Sequence, residues 1–237
     1  MKKKIVVFTG AGLDKESGIN TFRDSVDGLW ENYSIDDVCT PSGWKKDREK
    51  VLNFYNERRR QLPTVQPNQA HFDLVKLEDK YDVTIITQNV SDLHERAGSS
   101  KVLHLHGELT KARSSLYDPK KTLLDTIIDI GYDDINIGDT CEITDSQLRP
   151  HIVWFEEYPF NVEESYQSIG DTDILIIVGT SLNITYTIQL LANICEECKI
   201  YYVDPNPNKI LSSYGLNITY IEKPATEGVE LILNELL

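Results

Sequence analysis

The chain has 237 residues, 40% hydrophobic and 26% charged, which is enough apolar material to bury a sizeable core and excludes global disorder. A net charge of −14 repels phosphate backbones and disfavours a nucleic-acid partner; basic peptide segments suit such a surface better. No apolar run approaches the roughly 20 residues that span a bilayer, and the four cysteines are too unevenly placed for a disulfide framework.

From the N-terminus, three lysines lead into only a short apolar run, too short for a signal peptide's core, so a cytoplasmic location is expected. That run, 5–8, is the first predicted strand, and Thr9-Gly10-Ala11-Gly12 follows it. The stretch 24–65 is helical and aromatic-rich, with a helix over about 48–62. Next come a helix over 68–78 and a strand over 83–86. The stretch 110–150 mixes Ser, Asp, Gly and Lys with short apolar pieces. Strands are then predicted at 174–178, 200–203 and 218–221, with helices at 186–194 and 226–237. Continuous apolarity suits strands covered on both faces, and their alternation with helices predicts an α/β fold: a Rossmann-like, doubly wound parallel sheet. The core then comprises about 1–23, 66–110 and 150–237, and the insertions 24–65 and 110–150 form a small module over its ligand edge.

Glycines after a first strand let a backbone approach a pyrophosphate, but Lys15 stands where the strict dinucleotide pattern needs a third glycine. On glycines alone, a turn with no ligand is as good a reading. The longer string Gly10-Ala11-Gly12-Leu13-Asp14-Lys15-Glu16-Ser17-Gly18-Ile19-Asn20-Thr21-Phe22-Arg23 resembles the first motif of the sirtuins, NAD-dependent protein-lysine deacylases. Thr87-Gln88-Asn89-Val90 with 93–99, Leu105-His106-Gly107, 150–155, Gly179-Thr180-Ser181-Leu182 and Asp204-Pro205 are similar to the later motifs, in order and over essentially the full length.

The resemblance implies that the carbonyl oxygen of an acylated lysine displaces nicotinamide from NAD, and that a base then activates a ribose hydroxyl, releasing lysine and O-acyl-ADP-ribose. His106 is the base expected, and imidazole titrates near working pH without tuning. His94 is expected to be structural; His104, two residues from His106 on a strand face, is set aside only because His106 adjoins Gly107. Asn89 is the second catalytic candidate. Gly10, Ala11, Gly12, Phe22, Arg23, Gln88, Ser91, Asp92, Gly179, Thr180, Ser181 and Ala225 are the implied NAD contacts, and Val153 and Phe155 the peptide contacts. Tyr55 and Arg58, at i and i+3 of one helix face, resemble the pair by which one sirtuin class holds succinyl- and malonyl-lysine; the plainer alternative is a solvated basic run, Arg58-Arg59-Arg60.

Four departures stand out. Most sirtuins carry two Cys-x-x-Cys pairs for zinc in the small module, whereas 110–150 holds only Cys141, and Cys195-x-x-Cys198 lacks a second pair; no metal is expected, with the module packed through Leu123, Leu124, Ile127, Ile128 and Ile130. Ser91 replaces an aspartate that holds the nicotinamide carboxamide, with Asp92 beside it as a substitute. Asp14 replaces a serine near the phosphates and is tolerable if it turns away to cap the following helix. Glu156 replaces a glycine in the loop where substrate backbone passes. A monomeric deacylase is the leading expectation. The alternatives are an NAD glycohydrolase or ADP-ribosyltransferase on the same fold, and a non-catalytic module that binds NAD or ADP-ribose.

Overall fold

The computed structural model describes residues 2–19, 33–116, 124–183 and 185–237, with backbone only at 124, 185 and 214. Six strands form one parallel sheet: β1 (Lys4–Thr9), β2 (Asp82–Thr87), β3 (Val102–His104), β7 (Ile174–Val178), β8 (Lys199–Val203) and β9 (Ile218–Ile221). Their order is β3-β2-β1-β7-β8-β9, so the winding reverses between β1 and β7. Such a switch point opens a crevice at the carboxyl ends of the two strands.

The continuous apolar runs are explained by burial on both faces. Ile5 and Val7 of β1, with Ile174, Ile176 and Val178 of β7, face α5 (Gln69–Lys76) and α9 (Ala225–Leu236) through Leu74, Val229 and Ile232. Val6, Phe8, Leu175 and Ile177 face the opposite layer, where α7 (Val162–Gly170) and α8 (Thr185–Leu191) supply Ile169, Leu190 and Leu191. The five predicted strands and four predicted helices are all present, α5 being continued by a 3-10 turn at Leu77–Asp79. None of the described helices is long and apolar enough to cross a membrane.

The small module contains strands that composition did not reveal. β4 (Gly107–Ser114) pairs antiparallel with β5 (Ile127–Asp129) and with β6 (Leu148–Ile152), and the sheet packs on α2 (Ile35–Val38), α3 (Pro41–Lys46) and α4 (Arg48–Gln61). The expected packing residues are corrected here. Ile128 is exposed, Ile127 is half-buried, Ile130 lies at the margin, Leu123 is outside the described residues and the side chain of Leu124 likewise. The core is built instead from Leu109, Ala112, Leu148, Ile152 and Trp154 of the sheet side against Trp44, Val51, Leu52 and Tyr55, with Cys141 buried among them. β5 lies at the edge of this sheet, with Ile128 exposed on it.

The basic run on α4 divides three ways rather than forming one solvated face. Arg60 pairs with Asp134 at the surface, and Arg58 lies 3.3 Å over the Phe54 ring. Arg59 is fully buried: its Nε donates to the Leu109 carbonyl at 2.5 Å and a terminal nitrogen to Asn56 Oδ1 at 2.6 Å. Asn56 in turn brackets the Ile135 peptide, donating to its carbonyl at 2.9 Å and accepting from its N–H at 3.1 Å. This pair joins helix, sheet and the 130–140 loop. Arg59→Ala leaves a cavity and an unpaired carbonyl, and is expected to lower unfolding free energy by about 3 kcal/mol in urea melts.

Candidate active site

The site lies at the switch point. The turn after β1 and the turn after β7 meet there, and their contact accounts for the glycines. A Cβ on Gly12 would sit 2.7 Å from Gly179 Cα, and one on Gly10 would sit 2.6 Å from Thr180 Cβ. Gly179 itself has φ of 63°. Gly10 N–H donates to the Val178 carbonyl at 3.0 Å, Gly12 N–H to Gly179 O at 2.7 Å and Leu13 N–H to Gly10 O at 3.0 Å. Close approach of protein to protein, rather than of backbone to pyrophosphate, is what excludes side chains at positions 10 and 12. Ala11 opens the short α1 (Ala11–Lys15) between them.

Strand β2 ends beside this crossing. Asn89 is buried; its amide donates to the Gly10 carbonyl at 3.1 Å and its N–H to Thr87 Oγ1 at 3.0 Å. The Gln88 N–H donates to Thr9 O, and Thr180 Oγ1 donates to Gln88 Oε1 at 2.8 Å. Asn208 donates to the Ser181 carbonyl at 3.1 Å. Gln88, Asn89, Gly179, Thr180 and Ser181 thus gather as the sequence predicts. Ala225 is buried at the start of α9, next to Thr226, which donates from N and Oγ1 to Glu16 beyond α1. Phe22 and Arg23 lie outside the described residues.

The three nearby histidines are separated by their partners. His94 is buried, with Nε2 3.1 Å from Thr9 Oγ1, and burial holds its pKa well below the ordinary value. His104 Nδ1 faces the Asn89 carbonyl at 3.2 Å and Nε2 faces the Glu95 carboxylate at 2.9 Å. Both neighbours only accept, so both ring nitrogens carry hydrogens. Burial pulls its pKa down, but Glu95 outweighs burial and leaves it raised. His106 lies just past the end of β3, and its Nδ1 donates to the Gln88 carbonyl at 2.8 Å. The hydrogen is therefore on Nδ1, and Nε2 presents its lone pair. Burial lowers its pKa to about 4, opposed only by the Gln88 contact. Of the two residues that strand periodicity left equivalent, His104 is a cation in an ion pair and His106 a neutral acceptor.

The lone pair of His106 is met by the Tyr186 hydroxyl at 2.5 Å. Tyr186 belongs to no motif, and a single tyrosine in the first turn of a helix gives no local signal in sequence.

On the peptide side, Val153 N–H donates to the His106 carbonyl at 2.9 Å and Phe155 N–H to the Cys39 carbonyl at 2.9 Å. Within the motif 150–155, β6 ends at Ile152, and Trp154 N–H turns to the Glu157 carboxylate at 2.9 Å. Tyr55 is buried; its hydroxyl donates to Cys39 Sγ at 3.4 Å and accepts from the Trp154 indole N–H at 3.1 Å. Arg58, one turn along, donates to the Phe54 carbonyl at 2.9 Å, and burial lowers its pKa to about 10.

The Sir2 family model matches residues 10–186, more than half of the chain and the whole of this assembly up to Tyr186. The chain belongs to the Sir2 family. A protein of Helicobacter pylori (strain ATCC 700392 / 26695) named NAD-dependent protein deacylase is 44% identical over 235 residues, covering 99% of this chain and 98% of that one. One of the same name from Aggregatibacter actinomycetemcomitans is 48% identical over 209 residues, covering 88% and 96%. A Sir2 homologue variant in complex with ADP-ribose superposes with a TM-score of 0.84 at 31% identity, covering 99% of this chain and 92% of that one. A Sir2 homologue–NAD complex gives 0.82 at 30%, covering 99% and 90%.

Two departures from the Sir2 pattern prove to be one. Asp14 does not cap α1; it is buried and turned inward, where Ser91 Oγ donates to its Oδ2 at 2.6 Å. His71 Nδ1 accepts the Asn68 N–H at 3.3 Å, so its Nε2 carries the hydrogen and donates to Asp14 Oδ1 at 3.3 Å. Asp92 is held elsewhere, by the Tyr132 hydroxyl at 2.5 Å and Arg96 at 3.6 Å. A third departure, Glu156, takes φ of 74° at an exposed position, so the loop keeps the left-handed turn that glycine adopts freely. Glu156→Gly is expected to raise stability by about 1 kcal/mol, a rise in Tm of about 2–4 °C by calorimetry.

Proposed function

We propose that this Sir2-family chain removes acyl groups from protein lysines in an NAD-dependent reaction. The observation that carries the proposal is His106, a neutral imidazole just past the end of β3 whose proton is pinned by Gln88 and whose lone pair faces the Tyr186 hydroxyl. NAD supplies the leaving nicotinamide and the ribose that receives the acyl group. Nε2 of His106 accepts a ribose proton, and the Gln88 carbonyl supports the imidazolium that forms. Asn89, its amide fixed through Gly10, is the second catalytic residue of this reading. Gly10, Ala11, Gly12, Gly179, Thr180, Ser181 and Ala225 line the dinucleotide path, with Phe22 and Arg23 as further contacts. The nicotinamide carboxamide meets the Ser91–Asp14 pair. The peptide lies along Val153 and Phe155, whose N–H groups are already used, so its own N–H groups are met by carbonyls of this edge.

The chain acts without zinc, as a cytoplasmic monomer, and its net charge of −14 suits lysine-bearing substrates rather than nucleic acid. Incubation with NAD and a panel of acyl-lysine peptides, following nicotinamide and O-acyl-ADP-ribose, tests the reaction. Products that require peptide support a deacylase. Nicotinamide released without peptide marks a glycohydrolase, and binding without turnover marks a sensor.

Acidic acyl groups are accepted alongside acetyl. Tyr55 lies against Trp154, the residue between the two peptide contacts, and Arg58 bears on Tyr55 from one turn along; a carboxylate there meets a guanidinium and a phenol. Arg58→Ala is expected to lower kcat/KM for succinyl-lysine at least about tenfold while acetyl-lysine changes little. Equal succinyl turnover by both proteins sinks this specificity.

A further inference from the structure

The base has a partner that the reaction above leaves unused. An imidazole nitrogen carries one in-plane lone pair and accepts one good hydrogen bond. Nδ1 of His106 is committed to the Gln88 carbonyl, so Nε2 is the only acceptor on the ring. The Tyr186 hydroxyl occupies it at 2.5 Å, the rings standing edge to face with centroids 6.0 Å apart. Burial raises the phenol's pKa, so it keeps its proton and remains a donor across the neutral range. Gln88 bears on both ends of this contact, through its carbonyl to His106 and through its side chain to the phenol, and Thr180 holds that side chain. Tyr186 enters α8 just after the turn that carries Gly179 and Leu182, where Leu182 is buried at φ of 52°. Few bulky residues adopt that conformation, and such strain gathers at functional loops.

We infer that the Tyr186 hydroxyl stands in for a sugar hydroxyl in the ligand-free site, and that a ribose must displace it from Nε2 before His106 can act as the base. Tyr186 is a positioning residue that sets the affinity for the nucleotide against the protection of the base. The inference rests on reading His106 as the base of an NAD-consuming enzyme. The contact also keeps the imidazole neutral, because protonating Nε2 breaks it.

The test compares wild type with Tyr186→Phe, which keeps the ring and removes the hydroxyl. Calorimetric titration with ADP-ribose is expected to show about fivefold tighter binding to the variant, the worth of one neutral hydrogen bond. kcat/KM for NAD rises by a similar factor. NMR titration of the ligand-free protein is expected to show a higher His106 pKa in the variant than in wild type, because the neutral form has lost its donor while burial is kept. In a His106→Ala background the Phe substitution is expected to leave ADP-ribose affinity unchanged, since the lone pair it competes for is gone. Equal or weaker ADP-ribose binding by Tyr186→Phe overturns the inference, as does a fall in kcat with affinity unchanged, which makes the phenol a relay. Absence of deacylation in wild type removes the proposed reaction alone, because binding and NMR titration need no turnover.

Discussion

Replacing His106 by alanine is expected to reduce deacylation by about 10²–10⁴-fold, the range for loss of a general base, while leaving the fold intact. Intactness follows from position: His106 is only half-buried beyond the end of β3, and its one protein donor bond goes to a carbonyl. Circular dichroism and nicotinamide release, measured on the same preparation, check the two halves of the expectation. The pH profile carries a sharper one. In the free protein burial lowers the His106 pKa to about 4 from an ordinary 6.5, so the ring is neutral from pH 7 to below 5. The acid limb of kcat/KM assigned to it lies near 4 rather than 6.5, and His106→Ala abolishes that limb. The stability sign runs the same way. The unfolded chain takes up a proton below 6.5 and the folded one only below about 4, so stability is lost as pH falls through that window. A limb centred on 6.5 in wild type contradicts this picture of the site.

The second large effect is expected at Asp14 and Ser91. Ser91→Asp alone sets two carboxylates against each other where a hydroxyl now donates at 2.6 Å, and is expected to cost on the order of 3 kcal/mol. Asp14→Ser alone removes the acceptor that Ser91 and His71 share. The reciprocal exchange, Asp14→Ser with Ser91→Asp, restores one carboxylate and one hydroxyl at the same contact and is expected to recover most of the stability and the NAD affinity. Coupling of at least about 2 kcal/mol in the four-protein cycle supports this, and simple additivity in urea melts refutes it. In sequence the two substitutions are 77 residues apart and read as two separate losses. In space they are one contact, a hydroxyl donating to a carboxylate.

That pair shows where sequence was sufficient and where it was not. The central strands were legible because burial on both faces writes continuous apolar runs, as in 174–178. The small module's sheet was not legible. β6 is buried at all five positions yet reads Leu-Arg-Pro-His-Ile, with Arg149 paired to Glu157 and stacked 3.2 Å over Trp154. Its polarity is internal, and no periodicity rule anticipates a core held by arginines. The motif residues at strand ends were found by resemblance, but the reason for Gly10 and Gly12 was found only by seeing what they touch. His106 was separable from His104 only through partners, since a carboxylate on one ring and a phenol on the other are contacts across 9 and 80 residues of sequence. Tyr186 was invisible for the same reason.

The interlocking of the first turn with Gly179 has a consequence for how the site comes into being. β1 is made long before β7, yet its turn packs against residues some 170 positions later. Until β7 is made, the nascent chain holds β1 with one open edge and a glycine turn without its Gly179 counterpart. The catalytic crevice therefore gains its β7 wall only late in synthesis. It closes in a single late, long-range step, slow in the way that distant strand pairings are slow. A bulky residue at position 12 or 179 is then a folding defect before it is a binding defect, and it is expected to show as aggregation of newly made chains.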